Sequence, residues 1–242
     1  MFTLLKKELS EFFSTLTGYI VVIVFTVLNG LFIFVFPGEY NLLNNRFAHL
    51  DTLFFIAPWI FLFLVPAITM RLIADERKSG TLELLYTKPV TRLQIIFSKY
   101  LAGVVLVLFS LIPTLIYFLS LLWLTAEGSS PDTGAIWGSY IGLFLLAAVY
   151  TAIGIFASSL TENQIIAFLI AGFLSFFVYI GPDTLSGFEI WGNYGNIIKN
   201  LGIDAHYRSI SRGVADSRDI IFFLTASGIF LVLTEYVTLK KK

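Results

Sequence analysis

The chain reads as an all-α integral membrane protein with six transmembrane helices, and three observations predict this. Apolar residues fill 57% of the 242 positions and charged residues only 13%, against about 25% charged in soluble domains. Six separate apolar stretches are each long enough to cross about 30 Å of hydrocarbon as a helix rising about 1.5 Å per residue. The charge that remains gathers between those stretches, most densely from Asp75 to Arg92.

Residues 1–17 place Phe2, Leu5, Leu9, Phe12 and Phe13 on one helical face, with Lys6, Lys7, Glu8 and Glu11 elsewhere. That is the pattern of an interfacial helix lying in the membrane plane. The first span is expected from Gly18 to Phe36; it is too long for a cleaved signal, and no small-residue cleavage site follows it. The second runs from Leu53 to Met70 and is expected to continue as a solvated helix to Lys78, with Arg71 and Asp75 four apart and Gly80 ending it. A short in-plane helix from Thr81 to Tyr86 follows, with Leu82, Leu85 and Tyr86 on one face. Such a face either packs back on the bundle or fills a partner's groove.

The third span, Tyr100 to Leu124, is introduced by a capping box of Thr91 and Gln94 inside a Val90–Ile95 hydrophobic staple. The fourth covers Ile136 to Ala157. The fifth, Ile165 to Gly181, opens on the same pattern, with a cap at Thr161 and Gln164 and a staple of Leu160 and Ile165; a broken end at Gly181-Pro182 is one reading of its short length. Pro66 and Pro113 are expected to kink the second and third spans. Small residues four apart (Gly138 and Gly142, Ala148 and Ala152, then Ala167, Ala171 and Ser175) allow close backbone approach. They predict that the fourth and fifth spans pack together or across a subunit boundary.

In the segment 182–219, Phe188, Ile190, Trp191, Tyr194, Ile197, Ile198 and Leu201 suit short helices dipping into the outer leaflet, broken at Gly192, Gly195 and Gly202. The stretch from His206 to Asp219 then leads into the last span, Ile220 to Leu239. Arg212 with Asp216, or Arg218 with Asp219, are its candidate ion pairs. Placing both termini in the cytoplasm puts eleven basic residues inside: Lys6, Lys7, six between Arg71 and Lys99, and Lys240 to Lys242. Five stay outside, namely Arg46, Lys199, Arg208, Arg212 and Arg218. The positive-inside rule therefore makes the loop 71–99 cytoplasmic and the segment 182–219 extracytoplasmic.

Several functions lose their parts. A net charge of zero argues against nucleic acid as a partner, and a chain without cysteine has no disulfide, thiolate nucleophile or Cys-ligated metal. No Asp, Glu, Lys, Arg or His falls in the middle of an expected span; Glu235, within reach of Lys240, comes closest. Ion-coupled transport and intramembrane hydrolysis both need such groups at depth. His49 and His206 lack metal-ligand spacing, and no phosphate-cradling G-x-x-x-x-G-K-[ST] loop occurs. No catalytic, cofactor or metal site is expected in this chain, so any ATP that drives it must bind to another subunit.

The strings Asp75–Glu83 and Thr87–Val90 resemble the cytoplasmic signature of type-2 ABC exporter permeases, and Ser158–Gln164 resembles their second cytoplasmic turn. The resemblance spans nearly the whole chain. The closing segment, with His206, Arg212, Gly213, Asp216, Arg218 and Asp219, is most similar to the gliding-motility-associated permease subunits of that family. The resemblance implies a connecting helix at Phe2–Phe13, a coupling helix around Ser79–Tyr86 and re-entrant helices between Pro182 and Leu201. It also implies a multi-pass subunit of the cell inner membrane that pairs with a second permease subunit, like or unlike, the partner being a different chain in the gliding-motility relatives. Two ATP-binding cassette subunits, which hold ATP and Mg, dock beneath the pair. Glu76, Gly80, Thr81, Glu83 and Pro89, with the apolar Leu82, Leu85 and Tyr86, are the implied ATPase-coupling positions. Thr161, Glu162, Asn163 and Gln164 form the implied second turn. The substrate is not legible, because lipid-facing surfaces share the composition that suits lipid-like cargo. A non-transporting envelope scaffold, using the same loop as an anchor, is the alternative class.

Overall fold

The computed structural model describes residues 2–38, 41–43, 49–87, 89–125, 131–188, 194–213 and 216–240. Arg46, Lys88, Ile190, Trp191, Gly192, Lys241, Lys242 and the Tyr86 side chain, used in the expectations above, lie outside the described residues. The chain begins with α1 (Phe2–Ser14) and α2 (Leu16–Gly30), the latter extended by a π-helical turn over Leu31–Val35. Next come α3 (Asp51–Thr69), α4 (Arg71–Lys78) and α5 (Thr81–Tyr86). Then follow α6 (Arg92–Leu111), α7 (Leu115–Leu124), α8 (Thr133–Leu160) and α9 (Gln164–Ser186). The chain closes with α10 (Gly195–Lys199), α11 (Ile203–Ile210) and α12 (Ser217–Lys240). Six helical stretches are long and apolar enough to cross a membrane, one at each expected span. Helices suit this setting because each satisfies its own backbone polar groups where no water can.

Helix α8 forms the core, with 83% of its apolar window buried, while the window of α12 is 17% buried and lies on the outside. Small residues let α8 take the centre. At its crossing with α3, a Cβ on Gly154 would lie 2.0 Å from Thr69 Oγ1, and on α6 a Cβ at Gly103 would lie 2.7 Å from Thr151 Cγ2. Only glycine admits three helices at that point. The small-residue stripe on α9 works as expected: Ala167, Ala171 and Ser175 are fully buried, and α8 and α9 pack side by side.

The two prolines expected to kink their spans, Pro66 and Pro113, behave differently. At Pro113 the third span breaks into α6 and α7 around a 3₁₀ turn at Ile112–Thr114. Helix α3, by contrast, runs on through Pro66. The Leu62 carbonyl left without a donor lies against Gly172 of α9, 3.7 Å from where a Cβ would stand. Interruption comes instead at Met70, between α3 and α4.

Three expectations change. The fifth span continues past Gly181-Pro182 to Ser186, the helix tolerating the single backbone donor that Pro182 withholds. The segment after Gly202 does not lead straight into the last span but forms α11, whose Ile203, Tyr207 and Ile210 are buried. On α1 the buried residues are Glu8 and Phe12, while Phe2 is exposed. Glu8, expected away from the packed face, therefore sits on it.

Contacts sort the bundle into two ends. At the near end Lys7 of α1 meets Glu76 of α4, Gln164 of α9 meets Asp75, and Arg92 Nη1 donates to the Thr238 carbonyl of α12 at 3.0 Å. At the far end Tyr207 Oη of α11 donates to the Phe54 carbonyl of α3 at 2.6 Å, and His206 meets Asp219 of α12.

Candidate functional site

The near end is organised around α4. Its sequence, Arg71-Leu72-Ile73-Ala74-Asp75-Glu76-Arg77-Lys78, turns Leu72, Ile73 and Ala74 into the bundle while charges occupy the rest. Two sets of polar contacts hold it, one on each flank.

On the first flank, Lys99 projects from α6 with only 2% of its side chain exposed. Its Nζ lies 2.8 Å from Glu8 Oε1 of α1 and 2.8 Å from Glu76 Oε2 of α4. Lys7 Nζ adds a hydrogen bond to Glu76 Oε1 at 3.2 Å. A buried charge is tolerable only with opposite charge at contact distance, so this ammonium ties three helices together at one point. Desolvation lowers the pKa of Lys7, but the carboxylates of Glu76, Glu8 and Glu11 outweigh it and the net shift is upward. Arg71 stacks its guanidinium over the Phe12 ring at 4.6 Å, an additional attachment of α1 to α4. A cleft of about 220 Å³ remains between α1 and α4, with Glu11 and Thr81 on its walls.

On the second flank, one hydroxyl closes the joint between α3 and α4. Ser158 Oγ of α8 accepts from the Ile73 and Ala74 amides at 3.1 and 3.0 Å and donates to the Met70 carbonyl at 2.9 Å. These are the backbone groups that a helix break leaves without partners. Arg77 Nη1 donates to the Ser159 carbonyl at 2.6 Å, and Gln164 Nε2 donates to Asp75 Oδ1. Helix α4 is thus fastened to α8 and to the start of α9.

Beyond α4 the chain reverses at Ser79-Gly80, where Gly80 takes φ +70°. That left-handed conformation favours glycine, and it allows α5 to start at once. Thr81 Oγ1 lies 2.9 Å from Ser79 Oγ. Leu82 is buried and Leu85 half-buried, while Glu83 and Pro89 are exposed and Leu84 is 64% exposed. The expected Thr91–Gln94 capping box is formed in both directions, at 3.3 and 3.1 Å.

Other expected contacts are replaced. Arg71 and Asp75 do not pair, because Phe12 takes the one and Gln164 the other. The second capping box is absent for the same reason: Gln164 is committed to a charged acceptor, Asn163 Oδ1 caps the Ile165 amide at 2.9 Å, and Thr161 Oγ1 accepts from the Asn163 amide at 3.1 Å. Ile165 points outward, and Glu162 is exposed. Of the implied coupling positions, Glu76 faces inward and Glu83 outward.

The motif from His206 to Asp219 lies at the opposite end and contributes nothing to this site. His206 Nδ1 is 2.6 Å from Asp219 Oδ1, Nε2 is 2.8 Å from the Asn200 carbonyl, and the ring stacks on Phe222. Gly213, at φ +85°, presses against Ala135 of α8. Asp216 Oδ1 accepts from the Arg218 amide at 2.9 Å. Neither Arg212–Asp216 nor Arg218–Asp219 forms an ion pair among the described residues, since the two carboxylates serve α12 and His206.

Sequence reasoning missed Lys99, Glu8 and Ser158 as fastening residues. Lys99 left one signal, as a lysine about two turns inside helix α6 rather than at its start.

A bundle in which six helices are long and apolar enough to cross a membrane defines a multi-pass membrane protein. The family described as ABC-2 family transporter protein matches residues 2–234, and the chain belongs to it. Comparison with curated proteins finds no match. Members of this family are membrane components of ABC transporters, not themselves catalytic, and normally work with an ATP-binding cassette subunit.

Substituting Lys99→Met leaves the buried carboxylates of Glu8 and Glu76 with only the half-exposed Lys7 as counter-charge and is expected to destabilise the protein by about 3 kcal/mol, read as a drop in thermal midpoint in detergent. The triple variant K99M/E8Q/E76Q regains most of that loss. An unchanged midpoint for K99M would contradict the fastening role.

Proposed function

We propose that this chain is the membrane-spanning permease subunit of an ATP-driven exporter. In this reading it converts movement of a separate ATP-binding subunit, which holds ATP and Mg, into rearrangement of the bundle. The observation that carries the reading is the division of labour at the near end. Helix α5 offers Glu83 and Leu84 to a partner, while α4 behind it is joined to α6 by Lys99 and to α8 by Ser158. A push on α5 passes through Gly80 into α4 and from there into both helices. Buried Glu76 acts within the subunit, and the exposed residues Thr81, Glu83 and Pro89 meet the ATPase, with Leu85 and Tyr86 completing α5.

The orientation belongs to the same proposal. Helix α1, the end of α12 and the turn 161–163 lie at the α4–α5 end, and the basic residues gathered there support a cytoplasmic location in a cell whose inner membrane holds the protein. Residues 1–17 form the connecting helix, 71–99 the coupling loop and 182–219 the extracytoplasmic segment. The segment from His206 to Asp219 supports assignment to the gliding-motility-associated type, with a second permease of different sequence as its partner in the membrane.

The double variant E83K/L84D is expected to lower association with the cognate ATP-binding subunit at least tenfold (on the order of 1.4 kcal/mol or more) while leaving the thermal midpoint unchanged. Wild-type association would overturn the docking assignment, and loss of the ATPase with no cargo-dependent turnover even in the wild type would favour a scaffold. Because the native chain has no cysteine, orientation is read directly. Ser79→Cys should react with an impermeant maleimide only after the cells are opened, and Gly187→Cys in intact spheroplasts; the reverse pattern contradicts the topology.

A further inference from the structure

A cavity of about 550 Å³ opens at the far end between α3, α8, α9 and α11. Its walls change character with depth. Asp51, Asp183, Arg208 and Arg212 surround the mouth, whereas Phe55, Trp59 and Ile180 line the part that runs into the bundle. Positions 51, 55 and 59 follow one face of α3, so Trp59 lies roughly 12 Å below Asp51 along the helix. Trp59 meets Tyr179 edge to face at 6.2 Å between centroids. Phe55 is 52% and Trp59 40% exposed, which leaves the flank between α3 and α9 open to hydrocarbon. A polar mouth above an apolar, laterally open slot matches a molecule with a polar head and an apolar tail, oriented like the lipids of the adjacent leaflet.

The charges at the mouth select the head. Arg208 Nε binds Asp204 Oδ2 at 2.8 Å, and that hydrogen bond holds the Arg208 pKa above its ordinary value. Lys199 lies 3.1 Å from Asp183, and His49 lies 3.4 Å from Asp51. Arg212, one turn beyond Arg208 and also on the wall, has no acidic partner among the described residues. Asp51 is held in water at the rim, its side chain 83% exposed beside a histidine that is charged only when protonated, so the cation left to engage a ligand head is Arg212, and a guanidinium suits the planar, bidentate oxygens of phosphate or carboxylate.

We propose that this cavity binds an anionic amphiphile, with its phosphate or carboxylate head on Arg212 and its tail along Phe55, Trp59 and Ile180. The site stands on far-end geometry alone and does not require the ATPase reading. The same chemistry fits a resident membrane lipid or an exported amphiphile, and the test separates them.

The full chain is reduced to one tryptophan, Trp59, by W123F/W137F/W191F and placed in nanodiscs with acyl-brominated phosphatidylglycerol or phosphatidylcholine, whose bromines quench only tryptophan in contact. Brominated phosphatidylglycerol is expected to quench Trp59 at a mole fraction roughly five- to tenfold lower than brominated phosphatidylcholine. R212Q should abolish that preference and R212K should keep it. Equal quenching by the two lipids in the parent, or a preference that survives R212Q, would overturn the site. In complex with the ATP-binding subunit, loss of the Arg212-dependent quenching on adding ATP and Mg identifies an exported amphiphile, and its persistence a resident lipid; either result upholds the site.

Discussion

An ammonium group withdrawn from water needs carboxylates at contact distance, and Lys99 has Glu8 and Glu76 each at 2.8 Å. That requirement is what gives the near end its shape. It brings the polar side of α1 inward against α6, turns Glu76 away from the surface, and fixes where α4 leaves the membrane. Replacing such a cluster by apolar residues is often neutral for stability, whereas breaking it is costly. The cluster is better understood as setting one arrangement of three helices than as adding stability.

Ser158 does the complementary work with neutral groups. A helix break leaves amides and a carbonyl unpaired, and at Met70 the same hydroxyl satisfies both kinds. The break can then persist inside a buried joint without exposing the backbone to hydrocarbon. Together the two attachments make α4 a member of the bundle, with α5 projecting beyond Gly80 as its exposed extension. The stretch from Asp51 to Lys78 also connects the ends of the molecule, since α3 carries α4 at one end and lines the far cavity with Asp51, Phe55 and Trp59 at the other. A tilt imposed on α4 would therefore reach the cavity through the joint at Met70 and along α3.

What was legible in the sequence was local or imposed by lipid. Six spans followed from hydropathy because each helix must satisfy its own backbone, and the Thr91–Gln94 box followed from a spacing of three residues. The reversal at Gly80 was readable because one residue type favours that conformation. Contacts across long separations were not. Gln164 had a plausible partner three residues away and took Asp75, 89 residues distant, because a carboxylate in a partly buried setting is the stronger acceptor. Glu8 looked like a solvated residue until Lys99, 91 positions later, drew it inward. Helix α11 was hidden because its apolar residues Ile203, Tyr207 and Ile210 sit among six polar or charged neighbours between 204 and 212, and only packing against α8 decides the matter.

The central claim is that α4 and the turn between α8 and α9 move as one body. Pulsed dipolar spectroscopy between spin labels at Lys78→Cys and Glu162→Cys, in the complex with the ATP-binding subunit, measures this directly. The predicted result is one narrow distance distribution, unchanged between nucleotide-free and ATP-trapped states and broadened by S158A. A shift of the distribution on trapping ATP in the parent would contradict the account.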